Sequence, residues 1–213
     1  MKNQSTKTIK LVQLALFAAL IIIMASTPML GYIPLGFTRA TIIHIPVILG
    51  AIVLGPKYGA ILGGIFGCTS FLNNTFNPTI TSFVFTPFYT LGDFEGGIGS
   101  IIICFVPRIL VGVIPYFVYQ GMQKAAKNRK GSQVLSLGVA GVSGALTNTL
   151  LVMGMILLFF RESYALANNI SVNAVFGFVL TIIGMNGVPE AIVAAVLVAL
   201  IGKILISGRF LKS

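Results

Sequence analysis

Acidic side chains are nearly missing from this chain: 4 Asp plus Glu stand against 14 Lys plus Arg, and 213 residues hold one histidine and two cysteines. One histidine with no acidic or thiol cluster beside it cannot build a metal site. His44, at the start of an apolar run, therefore reads as a satisfied polar contact or as a ligand contact. Cys68 and Cys104 both fall inside apolar runs. There a thiol behaves as a small hydrophobe, and a single pair is no disulfide framework. No Walker-type phosphate loop occurs, and the few ionisable residues supply no nucleophile and base in partnership. Nothing in the chain is equipped to hydrolyse ATP.

Apolar residues are what the chain has in quantity. They make up 56% of it, charged residues only 8%, and the mean hydropathy is +1.00. That composition describes a protein dissolved mainly in lipid. A net charge of +10 raises the question of nucleic acid, but the basic residues recur between apolar runs instead of forming one patch. The start, MKNQSTKTIK before an apolar stretch, mimics a signal peptide; the stretch continues to about Leu30, as an uncleaved first span would.

A membrane helix needs about 20 predominantly apolar residues. Runs at 9–30, 42–54, 60–72, 99–120, 134–160 and 189–206 predict six spans in a single membrane domain, 1–213, an all-α integral membrane protein. The second and third are short and separated by GPKYG, which reads as a tight helical hairpin. Residues 171–184 are apolar over too short a length to cross alone and are read as a re-entrant or interfacial piece; the alternative joins them to the last span as one long kinked helix. With both termini inside, eleven basic residues face the cytoplasm (Lys2, Lys7, Lys10, Lys57, Lys124, Lys127, Arg129, Lys130, Lys203, Arg209, Lys212). Only Arg39 and Arg161 fall outside, so the positive-inside rule predicts an N-in, C-in topology. The extracellular connection 73–98 is longer than a compact fold needs. Its Phe83, Phe85, Phe88, Tyr89 and Phe94 suit a lid folded onto the bundle, or an interfacial aromatic belt.

Within ICFVPRILVG, residues 103–112, one cation sits among apolar side chains. Arg108 lies about nine residues into its span, or ~13 Å at 1.5 Å per residue, near the middle of a ~30 Å hydrocarbon core. A charge there costs roughly 2.5 to 3.5 kcal/mol even on the lenient scale, so it should face the protein interior or a wet cavity. Three readings are open: an internal ion pair with Glu190, capture of a ligand carboxylate by the guanidinium fork, or packing and snorkelling. Asn148, half-way along the fifth span, needs an interhelical or a ligand partner. Asn186 and Glu190 are four apart and share a helix face, where Glu190 could also complement the helix dipole. Asn73 and Asn74 close the third span at the mouth. Small residues four apart, at Ala15/Ala19, Gly63/Gly67 and Ala191/Ala195, allow close helix approach.

The Ala15/Ala19 step, IHIPVILGAIVLGPKYGAILGGIFG (43–67), PTITSFVF (78–85) and PRILVGVIPY (107–116) together resemble the substrate-binding S component of an energy-coupling factor (ECF) vitamin transporter. The likeness covers essentially the whole chain. The hairpin motif, Arg108 and NGVPEAIVAA (186–195) look most similar to the pantothenate-type S components. The resemblance implies a six-helix bundle in a prokaryotic plasma membrane, holding a vitamin near the extracellular face. It also implies partners: a membrane scaffold subunit, met by Ala15 and Ala19, and two cytoplasmic ATPases carrying ATP and Mg. On that reading the site comprises Arg108 for a carboxylate, with Asn148, Asn186, Glu190, Asn73, Asn74, His44, Phe85 and Tyr89 around the rest of the ligand. Two other readings are a different vitamin, pyridoxine-like or pyrimidine, with Arg108 neutralised by Glu190, and a membrane enzyme or scaffold without cargo.

Overall fold

A computed structural model describes residues 2–27, 30–34, 39–92, 94–126 and 131–207. Asp93, Lys127, Arg129, Lys130, Arg209 and Lys212 lie outside the described residues, as do the side chains of Lys2, Arg39 and Phe94. Helices dominate the described residues. α1 (Lys2–Ser26) leads through a short antiparallel pair, β1 (Tyr32–Pro34) with β2 (Arg39–Thr41), into α2 (His44–Leu54). α3 (Pro56–Phe76) follows at once. The turn between them needs Gly55, whose φ of 99° is open to glycine at little cost, and Pro56 fits the first turn of α3, where its missing N–H has no partner to lose.

The connection after α3 is not loose chain. It forms a 3₁₀ turn (Ser82–Val84) and a second short pair, β3 (Thr90–Leu91) with β4 (Phe94–Glu95), before α4 (Ile98–Val111). Phe83 and Val84 are fully buried, and the Ser100 hydroxyl donates to the Phe83 carbonyl at 2.7 Å. The predicted fourth span lies within one apolar helical run, Ile98–Ala125, in which α4 ends in a turn at Gly112 and Val113 and α5 (Ile114–Ala125) begins with Pro115 in its first turn. α6 (Ser132–Phe159) is the longest helix, 28 residues, or ~42 Å. α7 (Arg161–Ala167) leads to α8 (Val175–Ile182), a π-type stretch (Ile183–Gly187) and α9 (Val188–Ser207).

The last part corrects the re-entrant reading of 171–184. Val172–Ser207 is one continuous helical run of 36 residues. Pro189 cannot donate to a carbonyl in the preceding turn, and the helix absorbs it by widening to π geometry just before it, so the chain does not turn back. The long-helix alternative is the one formed.

Among the described residues four helical runs are long and apolar enough to cross a membrane: Lys7–Ser26, Ile98–Ala125, Ser132–Phe159 and Val172–Ser207. Their sidedness is that of a lipid-embedded bundle. On α9, Ile192, Val196, Leu200 and Ile204 form an exposed apolar stripe, while Ala191, Ala194, Val198 and Gly202 are buried. Water would penalise such a stripe; hydrocarbon does not. Two apolar clusters result. One, centred on α2, α3, α6 and α9, contains Ile48, Leu62, Phe66 and Val198. The other, at the opposite level, joins Phe83, Ile103, Ile156, Tyr164 and Val179 into a cap over the bundle.

Candidate functional site

Arg108 is 6% exposed and stands where the two clusters meet. Its neighbour explains much of its posture. In a regular helix the N–H of residue 107 would bond the carbonyl of residue 103, but residue 107 is proline and the Ile103 carbonyl is left without that donor. Arg108 Nη1 takes the vacancy, donating to Ile103 O at 2.8 Å. Nη2 donates to Ser70 Oγ on α3 at 3.3 Å. The guanidinium carbon lies 5.6 Å from the Phe66 ring centre and 5.1 Å from that of Phe85, so π faces take up part of the charge. Nε has no hydrogen-bond partner among the described residues.

The backbone around Arg108 is held by close helix packing. A Cβ on Gly63 would run into the Arg108 carbonyl oxygen, and one on Gly59 into that of Gly112, so α3 and α4 touch backbone to backbone along a glycine seam. Cys104, buried on the same seam, points its thiol to the Gly67 carbonyl at 3.4 Å. Gly63 and Gly67 thus pack within the chain. Ala191 belongs to a comparable seam in which Gly141 of α6 approaches the Ala194 carbonyl.

Glu190 is also 6% exposed. Its Oε1 accepts the Thr41 N–H at 2.7 Å and its Oε2 the Thr149 hydroxyl at 3.4 Å. Among the described residues Arg108 forms no ion pair. Two neutral donors stabilise Glu190 instead, one from the strand before α2 and one from α6. Asn186 is buried one turn earlier, in the π stretch.

Asn148 precedes Thr149 on α6 and is buried, with its Oδ1 unpartnered. His44 is fully buried, and neither ring nitrogen makes a well-formed hydrogen bond. The two occupy one level. Thr41 and Thr149 meet through Glu190, and a Cβ on Gly144 would meet the Ile48 side chain, so α2 and α6 run antiparallel with His44 and Asn148 between those contacts.

The remaining predicted residues divide. Phe85 and Tyr89 are half-buried and pack on the cap cluster, Phe85 directly against Arg108. Asn74 is spent locally: its Nδ2 donates to Ser70 O and its Oδ1 accepts from Ser82 Oγ, both at 2.9 Å, tying α3 to the 3₁₀ turn. Asn73 accepts from Asn77 at the helix end. Ser70, Phe66, Thr41 and Thr149 contact the charged groups but carry no mark in the sequence that singles them out. The one available signal was spacing, since Phe66 and Ser70 are four apart and share a face of α3.

Residues 9–202 match the family described as ECF transporter, substrate-specific component. The chain is 38% identical over 172 residues, 80% of each chain, to the pantothenic acid transporter PanT of Lactococcus lactis subsp. cremoris. It is 32% identical over 212 residues, 97% of this chain and 95% of the other, to the pantothenate transporter PanT of Leuconostoc mesenteroides subsp. mesenteroides. A buried, incompletely satisfied polar cluster inside a lipid-facing bundle, on a chain matched over nearly its full length, leads to one assignment: this protein belongs to the ECF transporter family of substrate-specific components.

Proposed function

We propose that this subunit binds pantothenate at the extracellular side of a prokaryotic plasma membrane and delivers it inward. It would work with a membrane scaffold subunit and two cytoplasmic ATPases carrying ATP and Mg. The bundle on this reading crosses six times with both termini inside, which places the cap of residues 77–97 and α7 outside. Pantothenate combines a carboxylate, an amide, two hydroxyls and a dimethylated apolar centre. Arg108 is the carboxylate partner, Asn148, Asn186 and His44 meet the polar backbone, and Phe85 and Tyr89 wall the apolar centre. Asn73 and Asn74 act through the cap, as supports of its position.

The observation that carries the reading is a buried guanidinium with an unpartnered Nε and, among the described residues, no ion pair, in a chain that resembles pantothenate transporters along most of its length. Removing one partner of a buried charged pair costs about 2 to 5 kcal/mol. Arg108→Ala should therefore weaken pantothenate binding by roughly 30-fold or more. Arg108→Lys should fall between, since ammonium keeps the charge and loses the fork. The test is equilibrium binding of labelled pantothenate to purified protein beside a panel of other vitamins; undiminished affinity in both variants, or preference for a cationic vitamin, rejects the assignment.

A further inference from the structure

The buried polar atoms left without a protein partner are sorted by chemistry. On α4 the unpartnered atom is a donor, Arg108 Nε. On α6 it is an acceptor, Asn148 Oδ1. Next to it the Glu190 carboxylate receives two donors, one at a long 3.4 Å, whereas a carboxylate offers about four lone-pair sites. His44 on α2, with both ring nitrogens unpartnered, can donate or accept. Gln123 Nε2 also lacks a partner, but it lies at the other end of the molecule, beside Ser132.

These groups lie within about one helical turn of each other in depth. A Cβ on Gly144 would touch both Ile48 and Pro115. From that contact plane, one turn toward the cap brings α2 to His44 and α6 to Asn148. Two turns, or about 10 Å, bring the α4 side to Arg108. A buried polar atom left unsatisfied costs about 1 to 3 kcal/mol, so a bound molecule that supplies a missing partner gains on that scale. That molecule must present an anion toward α3 and α4 and hydroxyl or amide donors toward α6 and α9.

We propose that pantothenate binds in one direction, its carboxylate on Arg108 and its two hydroxyls toward Asn148 and Glu190, and that Glu190 is the specificity residue rejecting ligands with a second anion at the hydroxyl end. This rests on the function proposed above. Phosphorylating the primary hydroxyl removes a donor and adds a charge of about −1.5 to −2, which would face a carboxylate instead of a cation. The site then takes the free vitamin and excludes its phosphorylated form, leaving phosphorylation as a reaction class that must follow transport.

The test is calorimetric titration of the purified full chain with three ligands: pantothenate, its alcohol analogue lacking the carboxylate, and pantothenate phosphorylated on the primary hydroxyl. Wild type should bind the phosphorylated ligand at least ~100-fold more weakly than pantothenate, the scale expected when like charges meet in a desolvated contact. Glu190→Gln should weaken pantothenate by loss of a charge-assisted bond and narrow that ratio at least ~tenfold. An unchanged ratio overturns the assignment. Asn148→Ala reads direction and leaves the two donors to Glu190 in place: it should weaken pantothenate and the alcohol analogue by the same factor. A loss at least ~tenfold greater for pantothenate than for the alcohol would place the carboxylate at Asn148 and overturn the direction. Failure of wild type to bind pantothenate rejects the proposed function and this inference together, whereas normal pantothenate binding with insensitive ratios rejects the inference alone.

Discussion

Proline beside arginine is the residue-scale device of this protein. Pro107 frees the Ile103 carbonyl and Arg108 answers it, so a helix defect becomes the anchor that aims a guanidinium away from lipid. Two opposed effects should follow from Pro107→Ala. The helix gains an N–H and loses a ring clash, worth up to ~3 kcal/mol of stability, so the ligand-free protein should melt higher. The restored N–H competes for Ile103 O and loosens Nη1, so pantothenate affinity should fall ~3- to 10-fold, the worth of one hydrogen bond. Thermal unfolding with and without ligand measures both, and a rise in affinity alongside stability would break the link. Ser70→Ala should lower affinity by a similar factor without the stability gain, because only the Nη2 acceptor is lost. The sequence already showed that a cation at position 108 would be buried. Ser70 and Phe66 were not legible, because helical period reveals which residues share a face but not which helix that face meets.

Helix pairs turn these contacts into a fixed geometry. Along α3, Gly59 and Gly63 let the α4 backbone approach so closely that any side chain there must displace it. Gly63→Ala drives a methyl against the Arg108 carbonyl itself. Overpacking of this kind costs about 1 to 3 kcal/mol, and the displaced α4 should carry the guanidinium with it. We expect a lower melting temperature and a loss of pantothenate affinity larger than the loss for its alcohol analogue. Equal losses for both ligands would show a general packing defect that does not reach Arg108. At this scale the sequence was informative where it was regular and misleading where it compensated a defect. GPKYG marked the α2–α3 turn because glycine and proline punctuate helices for local reasons. Gly112 and Pro115 divided the fourth apolar run into α4 and α5, since a close backbone contact with Gly59 depends on a partner helix that periodicity does not see. Residues 171–184 read as a re-entrant or interfacial piece, yet the chain spends a π turn to keep its helical run continuous from Val172 to Ser207.

At the scale of the whole molecule, one helix is set apart. Only 6% of the α1 span is buried, against 39% of Ile98–Ala125, so α1 lies at the margin of the bundle. Leu14, Phe17, Ala18, Ile21 and Met24 hold it to the core. Ala15 and Ala19 face outward beside exposed Leu11, Leu16 and Ile22. Hydrocarbon chains conform to large and small side chains alike, so lipid contact alone gives no reason for two alanines four apart. A second helix does gain from them, because small residues let backbones approach and slide without interlocking. On the proposed function, the scaffold subunit would meet α1 along this smooth track. Ala15→Leu with Ala19→Leu should leave the purified subunit's pantothenate affinity within about twofold, since neither residue touches the polar cluster and distant sites act independently. The same pair should cut recovery of the scaffold and ATPases on affinity-tagged subunit by at least ~tenfold, and uptake into vesicles with it, if the interface loses even ~1.4 kcal/mol of packing. The two readouts separate the causes: a fall in binding by the isolated subunit means that the leucines have disturbed the bundle, while full assembly and uptake would show that the scaffold docks on another face.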